Sequence, residues 1–545
     1  MGSAYLSLTP YFPSQITFFY PYRINMKKLI VFSALAVCLI QSSLAQTGVF
    51  NEALLFSRTS FGGTTRMQTL GGAHVSLGGD ISSAHVNPAG LGFYNRSEIT
   101  FTPGFRFMNA DSQFNGNPDE ERASSRGSFG LYNFGLVFNN TKNNGSKFKG
   151  WNFAFSVDRL NDFNEEVSYR GENNNNSLAF ALGDNAFNVN NDALFGLEEA
   201  AFETFVINPV VLNNGDLVYD PVNLTDIVEV DGNTTLFYSF PVQEETIRRR
   251  GSQNQWSFSA GGNYDDKIYF GGGIGIGTIN YEQDKVFREN DYFVFGDGVN
   301  VFDGNDTALG GLTLREDLRI DGIGINATLG VILRPIDAMT IGISYITPTI
   351  YSINEESTFT LSNIINETIN TFGGDVIDPG SYEFNGDLVT SRYTLRTPSR
   401  LNLGASFFLG KYGFLTSSVE FTDYASAELS SNDFNIDSDN AAIRDSYTSV
   451  TNVRLGGEFR LDAFRFRLGY AALNNPFEAG IEPSWRESYS IGAGYKTKDY
   501  YIDLGVINSS SESSYSPYVL TDGMQPVINT KLRDTRIAVT VGFTF

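Results

Sequence analysis

The ten residues that end the chain, 536–545, alternate between two kinds of side chain. An extended strand would carry five apolar residues on one face, Ile537, Val539, Val541, Phe543 and Phe545. Small or polar residues would occupy the other face. The same alternation recurs in segments from Ser97 onward. A face that is apolar toward lipid and a face that is polar toward a lumen are typical of the wall of a transmembrane β-barrel.

An export signal precedes this region. Met26-Lys27-Lys28 is followed by the apolar run 29–40 and by Ser43-Leu44-Ala45, which predicts a signal peptide over residues 26–45. Residues 1–25 are interpreted as an over-long start assignment or an extension. The apolar run is too short for a spanning helix, which needs about 20 residues. Membrane residence would therefore depend on strands.

Composition narrows the function classes. The single cysteine, Cys38, lies in the predicted signal, so the mature chain would have no disulfide and no thiol nucleophile. The net charge of −23 disfavours nucleic acid as a partner. Aromatic residues make up 14% of the chain while the mean hydropathy is −0.16, as expected when lipid-facing residues alternate with polar ones. The predicted location is the outer membrane of a Gram-negative cell, with membrane lipid around the wall.

Alternating segments separated by alternately short and long connections predict an all-β fold, a 14-stranded antiparallel barrel over residues 97–545. The predicted strands are 97–109, 126–141, 150–165, 251–264, 267–283, 314–334, 338–353, 390–409, 413–426, 447–461, 464–472, 486–496, 499–510 and 530–545. Residues 166–250 form a large insertion, which is expected at the extracellular end. This insertion is either a lid over the barrel or a solvated segment with no role in transport.

Charged residues on the polar faces of three predicted strands would point into the lumen. They are Glu420, Arg454, Glu458, Arg460, Arg465 and Arg467. Their alternating signs predict a ladder of ion pairs. Bracing of a wide barrel is the favoured interpretation, and a role in ligand binding is the alternative.

Residues 46–96, here called the hatch, do not show strand periodicity. Glycines interrupt an apolar segment that carries two helix-start signals: Asp80 ahead of residues 82–85, and Asn87 followed by Pro88. A compact apolar segment ahead of a barrel is expected inside it. The hatch is therefore predicted to plug the lumen.

The hatch sequence resembles that of the FadL-like outer-membrane transporters of long-chain fatty acids and aromatic hydrocarbons. The matching stretches are Gly71-Gly72-Ala73 to Asp80, Ser83-Ala84 and Asn87-Pro88-Ala89-Gly90-Leu91, with weaker echoes such as Thr397-Pro398 along the barrel. The sequence departs from the family pattern in two respects. His74 and His85 stand where bulky apolar residues are expected, and the insertion at 166–250 is long.

The resemblance implies a passive uptake channel for a hydrophobic small molecule, and it implies no cofactor. The hatch would be the gate, through Gly71, Gly72, Asp80, Asn87, Pro88, Ala89 and Gly90. It also implies a lateral exit where the third strand breaks. The alternation of that strand is lost near Asp158, Arg159 and Leu160, which are therefore candidates for the opening.

Other function classes fit less well. Hydrolases of outer-membrane barrels usually need a histidine base, and His74 and His85, the only histidines, both lie in the hatch. Their spacing favours packed plug residues over a zinc site, so no metal site is predicted. The alternative that remains open is a FadL-like barrel that does not transport and acts as a docking or secretion partner for other proteins.

Overall fold

The computed structural model describes residues 49–60, 62–141, 146–212, 214–221, 224–230, 233–296, 299–302, 308–370, 376–478, 485–521 and 523–545. The predicted signal peptide lies outside these residues. The helices are α1 (Phe50–Ser57), α2 (Thr65–Thr69), α3 (Ser83–Val86), α4 (Leu178–Asn185), α5 (Leu197–Glu203) and α6 (Asp437–Ser446).

The strands follow the predicted order and extend further. They are β1 (Glu98–Phe114), β2 (Arg122–Thr141), β3 (Phe148–Asp162), β4 (Glu165–Glu172), β5 (Ile207–Val211), β6 (Leu217–Pro221), β7 (Leu224–Val230), β8 (Asn233–Tyr264), β9 (Ile268–Gly296), β10 (Val299–Phe302), β11 (Leu309–Ile336), β12 (Met339–Ile346), β13 (Ile350–Ile365), β14 (Ile369–Asn370), β15 (Val376–Ile377), β16 (Gly380–Asn385), β17 (Val389–Arg396), β18 (Arg400–Phe408), β19 (Gly413–Asp423), β20 (Glu428–Ser430), β21 (Ser449–Leu461), β22 (Phe464–Leu473), β23 (Arg486–Lys496), β24 (Tyr500–Tyr515) and β25 (Ile528–Thr544).

The wall is a closed antiparallel barrel of 14 strands, as predicted. Four of the fourteen wall positions are each built from two consecutive segments, β3 with β4, β12 with β13, β17 with β18 and β19 with β20. The barrel closes where β1 pairs with β25, from Glu98 opposite Thr544 to Phe114 opposite Ile528. The carboxyl-terminal strand that suggested a barrel is thus the strand that completes it.

The side-chain pattern inverts part-way along the wall. Toward the short turns, residues such as Leu329 and Leu468 are exposed outside, while polar residues such as Asn326 face inward. Toward the long loops, Tyr351 and Ile353 face inward and are buried, while Ser352 is exposed. An apolar outer belt belongs in lipid, and a polar outside with an apolar inside belongs in water. The inversion marks one edge of the membrane, and the barrel is an outer-membrane barrel.

Two wall positions are interrupted at this edge. Thr347-Pro348-Thr349 separates β12 from β13, and 397–399, with Pro398 at its centre, separates β17 from β18. Proline cannot donate to the ladder, so it interrupts pairing at these points. Among the described residues, no helix is long and apolar enough to cross a membrane.

The insertion after the third wall strand is shorter than the predicted 166–250. Residues 165–172 pair with residues 242–249 of β8, so both segments continue the wall above the lipid edge. The segment that leaves the wall, residues 173–221, is here called the cap; it holds α4, α5 and the β5–β6 hairpin. Leu178 and Leu182 of α4 pack on Phe287 and Leu314 of the wall. The Glu289 carboxylate accepts a hydrogen bond from the Leu178 amide at 2.7 Å.

Candidate functional site

The hatch lies inside the barrel, and its predicted helix starts are present. Asp80 accepts hydrogen bonds from the Ser82 amide at 3.0 Å and from the Thr64 hydroxyl at 2.9 Å. Asn87 accepts from the Ala89 amide at 3.2 Å and thereby caps a 3-10 turn that begins at Pro88. These bonds give the apolar segment a fixed shape without strands.

Asn87 also ties the hatch to itself and to the wall. Its side-chain amide donates to the Val75 carbonyl at 2.7 Å and to the Ile343 carbonyl of β12 at 3.4 Å. Ala89 is fully buried against Tyr269 and Ile332 of the wall. Gly90 sits so close to Ser83 and to the Leu77 carbonyl that a side chain there has no room.

A groove of glycines on the inner wall receives α2 and the turn after it. The residues are Gly456, Gly469, Gly492 and Gly505, and the nearest hatch atoms belong to Thr69, Leu70 and Gly71. Gly71 and Gly72 adopt φ of +64° and +76°, which favours glycine. A Cβ on Gly71 would lie 2.6 Å from the Tyr470 carbonyl oxygen of β22. The hatch is therefore packed directly on the backbone of the wall.

Ion pairs join the hatch to the lumen charges. The Arg66 guanidinium lies 3.5 Å from Glu458 and 3.7 Å from Asp80. Glu458 also pairs with Arg460 at 2.8 Å and with Arg467 at 2.7 Å. Because one carboxylate serves both the wall and the hatch, this part of the ladder is also a hatch contact.

The remaining predicted lumen charges divide into two groups. Glu420 pairs with Arg454 at 3.2 Å and accepts from Asn452 at 2.9 Å, so these residues brace two neighbouring wall strands. Arg465 stands apart from the predicted ladder because its guanidinium donates to the Asp462 carbonyl at 2.6 Å, in the adjoining turn. Arg467, besides its pair with Glu458, also pairs with Asp503 at 2.6 Å.

The wall is incompletely paired between β2 and β3. Their ladder runs from Thr141 opposite Gly150 to Asn133 opposite Asp158 and then stops. Beyond Asp158, β3 and β4 pair with β8, and no ladder joins them to residues 122–132 of β2 among the described residues. Leu160 is the extra residue of a β-bulge at this point. We call this interruption the wall gap.

The lower part of the wall gap lies at the level of the apolar belt. Phe129, on the outer face of β2 beside it, is 64% exposed. Backbone groups in lipid need partners, and here the hatch and a side chain provide them. The Ser60 amide donates to the Leu160 carbonyl at 3.0 Å. Arg106 donates to the carbonyls of Asp162 and Asn164, each at 2.9 Å.

Charged groups close the wall gap from the lumen side. Arg159 pairs with Asp162 at 3.2 Å and lies over the Tyr132 ring at 5.7 Å. Arg106 pairs with Asp162 at 3.5 Å and with Asp534 at 3.1 Å. Asp158 does not join this cluster; it accepts from Asn133 at 2.7 Å and holds the last ladder pair.

On the loop side of the hatch lies an apolar part of the lumen, which helix α1 fills. We call it the upper chamber; its wall residues are Phe163, Ile279, Tyr281, Ile320, Tyr351, Ile353, Tyr393 and Leu395. Ile443 and Tyr447 of the α6 region close it from the loops. Helix α1 lies within it, with Ala53 and Phe56 fully buried.

Both hatch histidines are buried. The His74 ring bonds to the Ser83 hydroxyl at 3.1 Å, and its Nδ1 has no hydrogen-bond partner among the described residues. Burial lowers the pKa of His74 to about 4, although nearby Asp80 opposes this shift. Burial, followed by the charge of Arg400, lowers the pKa of His85 to about 4. Both rings are therefore neutral at neutral pH, as expected for packed plug residues.

Sequence reasoning missed Arg66, Ser60, Arg106 and Asp503 as site residues. Arg106 and Asp503 could have been found, because each falls on the inward face of a strand that alternates clearly. No pattern marks Ser60 or Arg66, since the hatch has no period and their partners are distant in sequence.

The fold can be compared with known structures. A FadL homologue from Pseudomonas aeruginosa aligns with 90% of this chain and 100% of its own, at a TM-score of 0.52 and 13% identity. The chain has the FadL fold. The resemblance noted in the hatch motifs is thus confirmed for the fold.

Two further solved structures align over similar lengths. The toluene transporter TodX from Pseudomonas putida covers 89% of this chain and 99% of its own, with a TM-score of 0.49 and 11% identity. The toluene transporter TbuX from Ralstonia pickettii aligns with 88% of this chain and 98% of its own, with a TM-score of 0.43 and 13% identity. No family model and no curated protein sequence matches the chain.

Proposed function

We propose that this protein is a passive channel that carries hydrophobic small molecules across the outer membrane. The molecule would enter the upper chamber from the cell exterior, pass the hatch and leave through the wall gap into lipid. The observation that carries the proposal is the wall gap, because it adjoins the apolar belt and its backbone is satisfied by the hatch. A barrel that served only as a rigid scaffold would not need that interruption.

The hatch contacts support a coupled gate. Ser60 donates to Leu160 from both its amide and its hydroxyl, the latter at 2.5 Å. Asn161 donates in return to the Arg58 carbonyl at 3.0 Å. Any hatch movement that withdraws residues 58–60 therefore removes the hatch bonds to the edge of the wall gap and leaves only those of Arg106. Opening of the lumen and opening of the wall would then be one event.

A small cavity supports a connected route. It is bordered by Phe56 from the upper chamber, by His85 from the hatch and by Leu160 from the wall gap. These three regions thus already adjoin in the closed protein. A modest displacement of the hatch around this cavity would join them.

The chemistry of the upper chamber supports a hydrophobic ligand. Its inward-facing side chains are aliphatic and aromatic, and each methylene buried among them favours binding by about 0.8 kcal/mol. The resemblance of the hatch motifs suggests a long-chain fatty acid or a hydrocarbon within this class.

The surface of the cap favours ligand capture over the alternative role as a docking or secretion partner. Phe195 is 59% exposed, and Phe187 and Val211 are also exposed. Exposed apolar side chains on the cap suit the capture of an oily molecule from water, whereas a flat polar rim would suit protein docking.

A disulfide lock on the hatch tests the proposal. The hydroxyl oxygens of Ser76 in the hatch and Ser406 in β18 are 2.7 Å apart, so S76C with S406C should form a disulfide. The hydroxyls of Ser488 and Ser509 in the wall are also 2.7 Å apart and provide a control, S488C with S509C.

The measured quantity is uptake of radiolabelled oleate by proteoliposomes. The oxidised hatch lock should lose uptake and regain it on reduction, while the oxidised wall control should keep it. Uptake that survives the hatch lock would contradict gating by the hatch. Wild-type uptake no faster than in protein-free vesicles would contradict transport itself.

A further inference from the structure

The cap reaches across the outer mouth of the barrel. Apolar residues of α4 and α5 pack on Phe287 of β9, Leu314 of β11 and Leu361 of β13, the fifth, sixth and seventh wall positions. The same cluster contains Tyr518 and Leu520 of the loop that joins β24 to β25, the thirteenth and fourteenth positions. In a closed ring of 14 strands, the sixth and thirteenth positions lie on opposite sides. The cap and this loop therefore bridge the mouth between them.

This bridge lies above the upper chamber. Phe287 of β9 and Leu314 of β11 support the cap, and Tyr281 and Ile320 of the same two strands line the chamber. The members of each pair are six residues apart, which is about 20 Å along a strand. All four side chains are directed into the lumen. A molecule that approaches the chamber from outside along these strands therefore meets the cap first.

A buried polar network fastens the cap to the β24–β25 loop and to the wall. The Tyr518 hydroxyl donates to the Asn176 side chain of the cap at 2.7 Å and accepts from the Asn173 side chain at 2.9 Å. It also accepts from the Gln243 side chain of β8 at 2.6 Å. Gln243 in turn donates to Glu289, the carboxylate that holds the start of α4, at 2.7 Å. One hydroxyl thus connects all three parts, and we call this network the latch.

Both ends of the cap join the same side of the wall. β4 ends at Glu172, where the cap begins, and β7 begins at Leu224, just after the cap ends. β4 and β7 both pair with β8, the fourth wall position. The β5–β6 hairpin of the cap forms a separate two-stranded sheet. The cap can therefore swing away from the opposite side of the mouth without breaking a ladder of the wall.

We propose that the cap is a hinged lid on the outer mouth, and that a ligand reaches the upper chamber only when the lid swings away from the β24–β25 loop. The inference rests on the proposed function and adds a second barrier, in series with the hatch. The exposed Phe187 and Phe195 side chains lie on the moving part, so a molecule captured there is carried by the lid itself.

A covalent bridge between the cap and the loop tests the proposal. The side-chain oxygens of Asp184 in α4 and Thr521 in the loop are 2.8 Å apart, and both residues are exposed. The variant D184C with T521C can therefore be bridged by a short bismaleimide, because the predicted mature chain has no other cysteine. We call the bridged variant the lid lock.

A matched control constrains the loop without the cap. The side-chain oxygens of Ser514 in β24 and Asn529 in β25 are 2.9 Å apart at the base of the same loop. The variant S514C with N529C is bridged in the same way. Both variants are bridged before reconstitution, and their oleate uptake is compared with that of the same variants left unbridged.

The lid lock should reduce oleate uptake by proteoliposomes about tenfold or more, while the bridged control should retain it. Uptake that survives the lid lock would overturn the inference. Loss of uptake in both bridged variants would assign the effect to the loop and would also overturn it. If the hatch lock still blocks uptake in either case, the proposed function stands without the lid.

Thiol labelling provides a second measurement that does not depend on transport. Leu361 lies beneath the cap and is fully buried, so L361C reports removal of the cap by its reaction with a hydrophilic maleimide. Y518F removes the hydroxyl of the latch and should accelerate this labelling about fivefold.

The control for Y518F is Y219F. The Tyr219 hydroxyl bonds inside the cap, to the Val189 carbonyl at 2.8 Å and to Asn191 at 2.6 Å, so Y219F should leave labelling of L361C unchanged. Unchanged labelling in Y518F would overturn the inference. Equal acceleration in Y518F and Y219F would show that the cap loosens internally, which would overturn a lid that moves as one body.

Discussion

Packing of the hatch on the wall backbone makes Gly71 a sensitive position. G71A adds a Cβ 2.6 Å from the Tyr470 carbonyl oxygen, at a φ of +64°. Gly79 provides a matched control, because its φ is +67° and a Cβ there meets no atom within 4 Å. Both substitutions carry the strain of the left-handed region, about 1–2 kcal/mol. Only G71A adds overpacking, about 1–3 kcal/mol.

The difference between the two variants isolates the hatch–wall contact. An additional overpacking cost of about 1–3 kcal/mol would raise the equilibrium fraction of released hatch about 5- to 150-fold. The release is measured in variants that also carry A73C, a thiol at a fully buried alanine of the hatch, by its labelling with a hydrophilic maleimide under conditions in which the hatch closes faster than the maleimide reacts. G71A should therefore label faster than G79A by about one to two orders of magnitude. Equal rates in the two variants would refute the packing of the hatch against β22.

Three other predictions address the hatch and α1. Burial lowers the pKa of His74 and of His85 to about 4, below the ordinary value of 6.5. Their neutral rings therefore stabilise the docked hatch fully above pH 6.5, by about 3 kcal/mol each, and this contribution is lost as the pH falls. Labelling of A73C, corrected with that of a thiol at the fully buried wall residue Ala471 (A471C), should rise below pH 6.5. Burial and the neighbouring Glu355 carboxylate raise the pKa of Glu52 in α1, so the docking of α1 weakens as the pH rises. E52Q should therefore slow the maleimide labelling of A53C, a thiol at a fully buried alanine of α1, at pH 8 but not at pH 4.5. Deletion of residues 46–96 should raise sugar permeability of proteoliposomes, and an unchanged permeability would contradict a plug.

The wall could be predicted from sequence because the alternation that defines each strand depends only on residues that are close together in the chain. Each strand must place apolar residues toward lipid at every second position, and Leu468 and Val541 show that period without any knowledge of their neighbours. The lengths of the strands were underestimated, because above the membrane the outer face of the wall is polar and such stretches were assigned to the long connections; β9, for example, ends at Gly296 and not at residue 283. An inverted strand has the same period as a lipid-facing one, so periodicity alone does not reveal the inversion.

The site was less predictable because its contacts are distant in sequence. The pair of Arg66 and Glu458 and the bond from Ser60 to Leu160 depend on how the hatch sits in the barrel, which no period encodes. Helix α6 was missed because its sequence is polar, with Ile443 its only buried residue. The glycine and Asn87-Pro88 signals of the hatch were informative because those residues have specific backbone roles.

Paired fluxes in one set of proteoliposomes test the central claim most directly. Uptake of oleate and of a small sugar is measured with the wild-type protein and compared with protein-free vesicles. A plugged barrel with an exit into lipid should accelerate oleate uptake and leave sugar permeability at the protein-free level. Sugar passage through the wild type, or oleate uptake at the protein-free rate, would contradict the account.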